Sequence, residues 1–251
     1  MKYNQVFERY ELKYILKRSE YEAFKNELKN YMSVDKYGIS TIQSIYYDTN
    51  NSLLIRNSME KTGFKEKVRL RSYGLISDNS ECFLEIKRKA NDLVYKRRIP
   101  LLEEDAINFM NYKEEINNTQ IAKELTYIRD YYKNLKPMCL IIYERESFFK
   151  EDSEVRVTFD FNPRYRVNNL NLHTSLDGER LLDDDLVLME IKVLHNMPLW
   201  LTNLITKYHL KKGSISKYGR AYQIEKAKAL NNLMPKNNRV ILNKQIQYIG
   251  G

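Results

Sequence analysis

Pairs of cationic side chains two residues apart recur along this chain. Arg69 and Arg71 form one such pair and Lys87 and Lys89 form another, each with a single residue between the two cations. Because alternate side chains of a β-strand point to opposite faces of the sheet, each pair presents both charges on one face. Arg grips phosphate oxygens in bidentate fashion and Lys neutralises them as a point charge, so this spacing indicates an anion-binding surface.

The same alternation places eleven cations and four carboxylates on one face of the predicted strands. The cations are Arg9, Lys13, Arg69, Arg71, Lys87, Lys89, Lys96, Arg98, Arg145, Arg156 and Lys192, and the carboxylates are Glu11, Glu85, Asp160 and Glu190. The surplus of seven positive charges is most of the net charge of +9 of the whole chain. Because crowded like charges repel in a partly buried site, this face is predicted to bind a polyanion such as a phosphate chain.

Less specific interpretations of this face stay open at this point. For any one strand, a charged face turned to solvent is the ordinary arrangement in an antiparallel sheet. A carboxylate between cations is more often an ion-pair partner than a metal ligand, although it is also suited to hold a divalent metal against phosphates. Nucleic acid is disfavoured as the polyanion, because only Tyr73 and Tyr143 supply stacking rings on the charged face.

The charged positions belong to segments in which apolar and charged residues alternate, the pattern of β-strands. There are eight strand-like segments, at 6–16, 41–48, 67–73, 82–89, 94–99, 139–149, 155–161 and 187–193. Helical spacing of apolar residues predicts four helices between them, at 19–31, 119–134, 198–209 and 217–230. We predict an α+β fold in which an eight-stranded antiparallel barrel turns its charged face inward and flanking helices cover its apolar outside.

Length and composition indicate one soluble, cytoplasmic domain. The 251 residues contain no Pro-, Gly- or Ser-rich linker, so we predict a single domain over 1–251, with its core at about 5–230 and an uncertain tail at 231–251. The sequence shows no apolar run of about 18 residues and no signal-peptide core at its start. Cys82 and Cys139 are predicted to be packing residues, and the three histidines lie off the charged face, so no Cys–His or Ser–His–Asp nucleophile is expected.

Eight segments, taken in order, resemble the catalytic domain of the vacuolar transporter chaperone (VTC) family, which belongs to the triphosphate tunnel metalloenzymes. They are Arg9–Tyr14, Ser44–Thr49, Lys67–Tyr73, Leu84–Lys89, Tyr143–Ser147, Arg156–Asp160, Met189–Lys192 and Ser216–Tyr218. Each segment alone is a weak signal, but the ordered set is specific and runs from about residue 5 to residue 225. The resemblance implies a tunnel-shaped barrel and ATP-dependent polyphosphate synthesis with manganese or magnesium as the cofactor.

Site residues follow from the resemblance, position by position. The groups implied in catalysis are Lys13, Arg69, Arg71, Lys87, Arg145, Arg156 and Glu190. Substrate-binding roles are implied for Arg9, Glu11, Lys89, Lys96, Arg98, Tyr143, Lys192, Ser216 and Lys217. Glu190 is the implied metal ligand, with Glu85 as a second one. Helix 217–230 is expected either to close over the substrate through Ser216 and Lys217 or to pack as a plug by its apolar side.

Arg9 separates two subfamilies of the superfamily that the chain resembles. Tunnel triphosphatases open with Glu-x-Glu-x-Lys, whereas this chain has Arg9-x-Glu11-x-Lys13, as VTC-type polymerases do. An Arg in place of a carboxylate adds a grip on phosphate and removes a ligand for a hydrolytic metal–water, which favours transfer to a phosphate acceptor. The expected partners are ATP and polyphosphate or inorganic phosphate chains, without nucleic acid, and an exporter would be a separate membrane protein. The alternatives are a triphosphatase and a polyphosphate-binding module without catalysis.

Overall fold

One nine-stranded sheet organises the computed structural model, which describes residues 10–60, 63–77, 79–90, 93–116, 119–151, 153–194, 196–213 and 215–233. The strands are β1 (Tyr10–Lys17), β2 (Ser33–Asp48), β3 (Phe64–Tyr73), β4 (Glu81–Ala90), β5 (Leu93–Leu102), β6 (Lys136–Phe149), β7 (Arg156–Arg166), β8 (Glu179–Arg180) and β9 (Leu186–Val193). The helices are α1 (Arg18–Leu28), α2 (Leu53–Met59), α3 (Glu103–Met110), α4 (Gln120–Tyr132), α5 (Leu199–Lys207) and α6 (Lys217–Leu233). The strand order is β1-β9-β7-β6-β2-β3-β4-β5, all neighbours are antiparallel, and β8 pairs with β7.

All eight predicted strands and all four predicted helices are confirmed, with shifted ends, except that residues 6–9 of the first predicted strand lie outside the described residues. The sequence pattern does not predict α2 and α3, because helices of seven and eight residues are too short for a helical period to stand out. The start of α2 depends on a residue outside it. The carboxylate of Asp48 accepts hydrogen bonds from the backbone N–H groups of Leu54 and Ile55, both at 2.9 Å.

Helices cover the apolar face of the sheet from outside, as predicted. On one half, α1 and α5 pack over β7 and β9, where Phe24 and Phe159 are fully buried. On the other half, α3 and α4 pack over β3 and β4, where Phe109 and Leu84 are fully buried. Burial of each such side chain contributes about 1.5–3 kcal/mol to folding. Since the apolar positions of the strands face these helices, the charged positions must face the other way.

We call the charged side of the sheet the inner face. Across it, Lys87 of β4 approaches Glu11 of β1, with 3.6 Å between Nζ and Oε2. These strands stand seventh and first in the sheet order, so they meet only because the sheet curls around its inner face.

The predicted barrel is not closed. Within the described residues, no backbone ladder joins the edge strands β1 and β5. Such a ladder would need the two edge backbones at a spacing of about 4.8 Å and in a matched stagger. A side-chain contact such as that between Lys87 and Glu11 spans a wider gap than a backbone hydrogen bond does. The eight-stranded closed barrel is therefore wrong, whereas the α+β class with an antiparallel sheet and flanking helices is confirmed.

Helix α6 covers part of the inner face. The ring of Tyr218 stacks on that of Tyr46, with centroids 4.6 Å apart, and its Oη donates to Asp48 Oδ2 at 3.1 Å. Ala221 is buried in the same apolar cluster. The apolar side of α6 is thus a packing surface, which is one of the two roles predicted for helix 217–230. None of the described helices, α6 included, is long and apolar enough to cross a membrane.

Candidate anion-binding site

Two cations from different elements converge on the buried carboxylate of Asp160. Arg145 of β6 donates to its two oxygens at 2.5 and 2.8 Å, and Lys217 of α6 donates to Oδ2 at 2.5 Å. Both cations also lie over the ring of Tyr143, at 5.2 and 4.3 Å from its centroid. Burial alone would raise the pKa of Asp160, but the two cations outweigh burial and lower that pKa. An ionised Asp160 therefore ties the start of α6 to the sheet.

A second buried carboxylate, Glu85, holds three cations. The Nε–H of Arg69 donates to Glu85 Oε2 at 2.7 Å, and Nη2 of the same guanidinium also lies 2.7 Å from that oxygen. Lys96 Nζ is 2.9 Å from Oε1, and Arg71 Nε is 3.9 Å from Oε2. Burial would raise the pKa of Glu85, but these cations hold it at about 2. A divalent metal at Glu85, the role predicted for this residue, would be repelled by the three cations.

Arg71 connects these two groups. Its Nη2 donates to Tyr143 Oη at 3.4 Å and its Nε donates to Ser44 Oγ at 3.1 Å. Tyr143 thus contacts cations from β3, β6 and α6. We call the resulting cluster the arginine centre, and define it by Arg69, Arg71, Arg145, Glu85 and Asp160.

Two further carboxylates meet around Lys13, where β1 pairs with β9. Lys13 Nζ lies 2.7 Å from Glu11 Oε1 and 3.8 Å from Glu190 Oε2. Lys192 Nζ lies 2.7 Å from Glu190 Oε1. Burial would raise the pKa of Glu11 and of Glu190, but the lysines beside them lower both pKa values. Both carboxylates are consequently ionised at neutral pH.

Glu11 and Glu190 fit a divalent metal as two of its ligands. Manganese and magnesium take about six oxygen ligands, and ionised carboxylates are suitable donors. No group of three or more His, Cys, Asp or Glu side chains able to hold a metal occurs among the described residues. Glu11 and Glu190 would hold such a metal only if the ammonium of Lys13 moved from between the two carboxylates.

Lysines face one another at one end of β3 and β4. The register places Lys65 opposite Lys89 and Lys67 opposite Lys87. Like charges directly opposite each other destabilise a sheet. Burial, together with the surrounding cations, lowers the pKa of Lys67 to about 8, although Tyr46 acts in the other direction. We call these four residues the lysine ladder.

Among the inner-face residues that sequence reasoning missed are Lys67, Tyr46 and Ser44. Lys67 donates to Ser216 Oγ at 3.3 Å, and Tyr46 Oη accepts from Arg69 Nη1 at 3.1 Å. Burial would raise the pKa of Tyr46, but the neighbouring cations outweigh it and lower that pKa to about 8. The position of Lys67 could have been predicted from the sequence, because it stands two residues before Arg69 and therefore lies on the same face of the strand. Strand β2 has few charged residues, so its inner positions carried no signal.

The remaining predicted residues lie at the periphery. Arg156 is exposed, and its Nη2 lies 3.4 Å from Asp35 Oδ2. Arg98 is exposed and its guanidinium lies over the ring of Phe83, 4.7 Å from the centroid. Lys89 is exposed at the end of the lysine ladder. Arg9 lies outside the described residues.

This arrangement suits the binding of a chain of phosphates. Within the described part of the inner face, Glu11, Glu85, Asp160 and Glu190 each contact at least two cations. Because the cations still outnumber these carboxylates, the face keeps a positive surplus that a polyanion can neutralise. The cations that already contact a carboxylate are also held in place before any ligand arrives.

The chain is similar in sequence to proteins already known. The family model described as the VTC domain matches residues 8–226. Vacuolar transporter chaperone complex subunit 4 of Schizosaccharomyces pombe is 28% identical over 239 residues, which covers 78% of this chain and 32% of that protein. The chain thus spans about a third of the length of this relative.

One of the similar solved structures shows the same fold at low sequence identity. A putative adenylate cyclase from Bacillus halodurans aligns with a TM-score of 0.53 and 9% identity, over 84% of this chain and 94% of that one. A putative adenylate cyclase from Vibrio parahaemolyticus aligns with a TM-score of 0.47 and 14% identity, over 87% of this chain and 99% of that one. Such identities concern the fold alone. The family match, in contrast, covers most of the chain, which therefore belongs to the VTC domain family, as the resemblance predicted.

Proposed function

We propose that this protein is an ATP-dependent polyphosphate polymerase, which transfers the γ-phosphate of ATP to a growing polyphosphate chain. The observation that carries the proposal is the arginine centre on the inner face of a VTC domain, where Arg71, Arg145 and Lys217 surround Tyr143. Cations fixed in this way can neutralise adjacent phosphates together, and bidentate Arg contacts add orientation to charge.

In the proposed mechanism the arginine centre binds and orients the triphosphate. A terminal oxygen of the acceptor chain attacks the γ-phosphorus in line and forms a new P–O–P bond. The bond from the γ-phosphorus to the bridging oxygen breaks, and ADP leaves with its electron pair. Arg69, Arg71 and Arg145 neutralise charge on the transferred group, so positioning and electrostatics account for catalysis without a protein nucleophile.

A divalent metal, manganese or magnesium, is part of this proposal. Glu11 and Glu190 would hold it, since both are ionised and lie on neighbouring strands of the inner face. A bound metal would supply further neutralisation of phosphate oxygens. Glu85 is less suited to this role, because it is a single carboxylate among Arg69, Arg71 and Lys96, whereas Glu11 and Glu190 are two carboxylates that share Lys13.

The name of the S. pombe relative refers to a complex, and we extend the proposal to partners on that basis. A polymerase needs ATP and a phosphate chain as substrates, and a separate membrane protein is the proposed route for polymer that leaves the compartment. A cytoplasmic location remains a prediction from the sequence.

Triphosphate hydrolysis is the second candidate function. The observation that favours it is the carboxylate pair of Glu11 and Glu190, because two carboxylates could hold a metal, which would supply Lewis-acid activation of water for hydrolysis. Against it stands the sequence Arg9-x-Glu11-x-Lys13, in which an Arg occupies the position of a further carboxylate.

The experiment that tests the proposal supplies ATP, Mn²⁺ and a short polyphosphate primer, and resolves polymer, ADP and free phosphate. A polymerase lengthens the primer and releases one ADP for each phosphate added. Free phosphate without longer polymer would establish the triphosphatase instead. Tight binding of the primer without any turnover would show a binding module and would overturn the proposed reaction.

A further inference from the structure

Aromatic side chains continue the inner face beyond Arg71. Tyr73 is the next inner-face residue of β3, and Phe83 of β4 lies directly opposite Arg71 in the register. The two rings make an edge contact, with centroids 6.0 Å apart and planes at 77°. The guanidinium of Arg98 lies over Phe83, 4.7 Å from its centroid. We call Tyr73, Phe83 and Arg98 the aromatic shelf.

The aromatic shelf is open where other inner-face rings are covered. Tyr46 and Tyr143 are buried, at 9% and 4% exposed, and pack in the cluster that contains Tyr218 of α6. Tyr73, in contrast, keeps 51% of its surface exposed. An accessible ring beside a phosphate-binding face can stack a ligand group that is planar and apolar, whereas a phosphate chain offers no such group.

A nucleoside triphosphate combines both chemistries. Along β3 the inner-face order is Tyr73, Arg71, Arg69, Lys67, and two residues of a strand span about 7 Å. That spacing leaves room for a ribose between a ring stacked on Tyr73 and phosphates bound by the arginine centre. We propose that the aromatic shelf is the nucleobase subsite for a purine nucleoside triphosphate, whose base stacks on Tyr73 beside Phe83 and Arg98.

This placement gives the donor one direction. With the base on the shelf, the triphosphate runs from Arg71 towards Lys67, so the γ-phosphate points to the lysine ladder. The acceptor chain then lies over the ladder, and ADP leaves past the shelf. The inference rests on the proposed function, because it takes ATP as the phosphate donor.

Calorimetric titration of ATP and of tripolyphosphate into the same protein separates the base from the phosphates. Tyr73→Ala is expected to raise the Kd for ATP about five- to a hundredfold, the range for loss of one base–aromatic stack. The Kd for tripolyphosphate is expected to change less than about twofold, since its phosphates do not reach the shelf. Tyr73→Leu, which keeps apolar volume but removes the ring, is expected to have the same selective effect.

The matched control is Tyr95→Ala. Tyr95 is also an exposed tyrosine, at 41%, but the register places it opposite Arg88 on the other face of the sheet. This variant is expected to leave both Kd values unchanged. Equal weakening of ATP and tripolyphosphate by Tyr73→Leu, or no change in either Kd, would overturn the subsite alone. If the wild-type protein bound neither ligand, the proposed function itself would fail.

Discussion

The arginine centre and the lysine ladder carry their cations in two different arrangements. In the arginine centre, Asp160 and Glu85 each contact at least two cations at hydrogen-bonding distance. In the lysine ladder, the register sets lysine against lysine across β3 and β4. Lys87 of the ladder also contacts a carboxylate, since its Nζ lies 3.6 Å from Glu11 Oε2.

The two arrangements indicate which part of the inner face is preorganised before a ligand binds. A guanidinium already held by a carboxylate needs little reorganisation when phosphate replaces part of that contact. Lysines that repel one another gain most from any polyanion that neutralises them, whatever its detailed geometry. We therefore expect the arginine centre to position the reacting phosphates and the lysine ladder to hold the rest of the chain by charge.

Glu190→Gln tests whether Glu190 binds a metal or, like the carboxylates of the arginine centre, only pairs with cationic side chains. If Glu190 is a metal ligand, the rate of polymer formation should fall about a hundredfold, because the metal would no longer be held to neutralise the phosphates. Gln has nearly the same shape as Glu, so the substitution removes the charge and little else. The measurement is initial rate against metal concentration. Glu144→Gln, a carboxylate that contacts Arg164 at 2.8 Å, serves as the control and should keep the rate. Unchanged turnover of Glu190→Gln at saturating metal would exclude it as the principal ligand.

Asp160→Asn tests whether the arginine centre is held together by its carboxylates. Asp160 is a buried charge that pairs with both Arg145 and Lys217, so its loss should lower the free energy of unfolding by about 3 kcal/mol. Saturating tripolyphosphate should recover much of the loss, because its oxygens pair with the same cations. Chemical denaturation with and without tripolyphosphate measures both quantities.

Asp184→Asn is the matched control for Asp160→Asn. Asp184 also pairs with an arginine, Arg180, but its side chain is 58% exposed. Its loss should change the free energy of unfolding by less than about 0.5 kcal/mol. Equal losses for the two variants would show that the carboxylates of the arginine centre do not stabilise it more than a surface ion pair would.

Arg145→Gln and Lys89→Gln compare the two regions directly. The arginine variant should weaken tripolyphosphate binding about ten- to a hundredfold, because charge-assisted hydrogen bonds contribute about 1.5–3 kcal/mol. The lysine variant should weaken it only a few-fold, and the difference should vanish at high salt, which screens exposed charges. Titration calorimetry at two salt concentrations measures this. A larger effect of Lys89→Gln would reverse the assignment of roles.

The pH dependence of binding probes the boundary between the regions, where Lys67 and Tyr46 lie. Both have pKa values lowered to about 8, so above pH 8 Lys67 loses its positive charge and Tyr46 gains a negative one. Tripolyphosphate affinity should therefore fall as pH rises from 7 to 9.5. The ligand titrates in the same range, so the informative quantity is the difference from Lys67→Gln, in which the fall should be smaller. Parallel profiles for the two proteins would contradict this.

The stability of the ligand-free protein should respond to pH in the opposite sense. The unfolded chain keeps the proton on Lys67 up to its ordinary pKa of 10.5, whereas the folded protein releases it near 8. Between these values the unfolded state binds more protons, so the contribution of Lys67 to stability rises with pH. Denaturation at pH 7.5 and pH 9.5 measures the change in the free energy of unfolding with pH. This change should be more positive in the wild type than in Lys67→Gln.

Lys65→Gln should have the smallest effect. Removing one charge that lies opposite Lys89 should stabilise the ligand-free protein by about 0.2–1 kcal/mol at low salt. A melting temperature that rises at low salt and not at high salt is the expected result. A fall in melting temperature would show that the lysine ladder is already neutralised in the ligand-free protein.

The composition of the inner face was predictable because strand parity is a local property. Arg69, Glu85 and Arg145 reach this face since side chains two residues apart always share a face. In the sequence of β5, Arg97 is a charged residue at a position that strand alternation assigns to the apolar face. In the structure it does lie on that face, opposite the inner one, with its Nε 4.0 Å from Glu124 Oε1. The contacts between these residues were not predictable. Asp160 was predicted only as one of four carboxylates on the charged face. That it joins β6 to α6 was not predictable, because their meeting depends on elements far apart in the chain.

The strands, the long helices, the charged face of the strands and the family could all be predicted from the sequence, since each depends on periodicity or on ordered local segments. Three features became visible only in the folded structure: the sheet stays open, α6 packs over Tyr46, and Glu85 holds cations where a metal was expected. The meeting of Tyr73, Phe83 and Arg98 at the end of the inner face is a fourth such feature. The physical reason is that register, strand order and curl set which distant side chains meet, and a period of two residues carries no information about them.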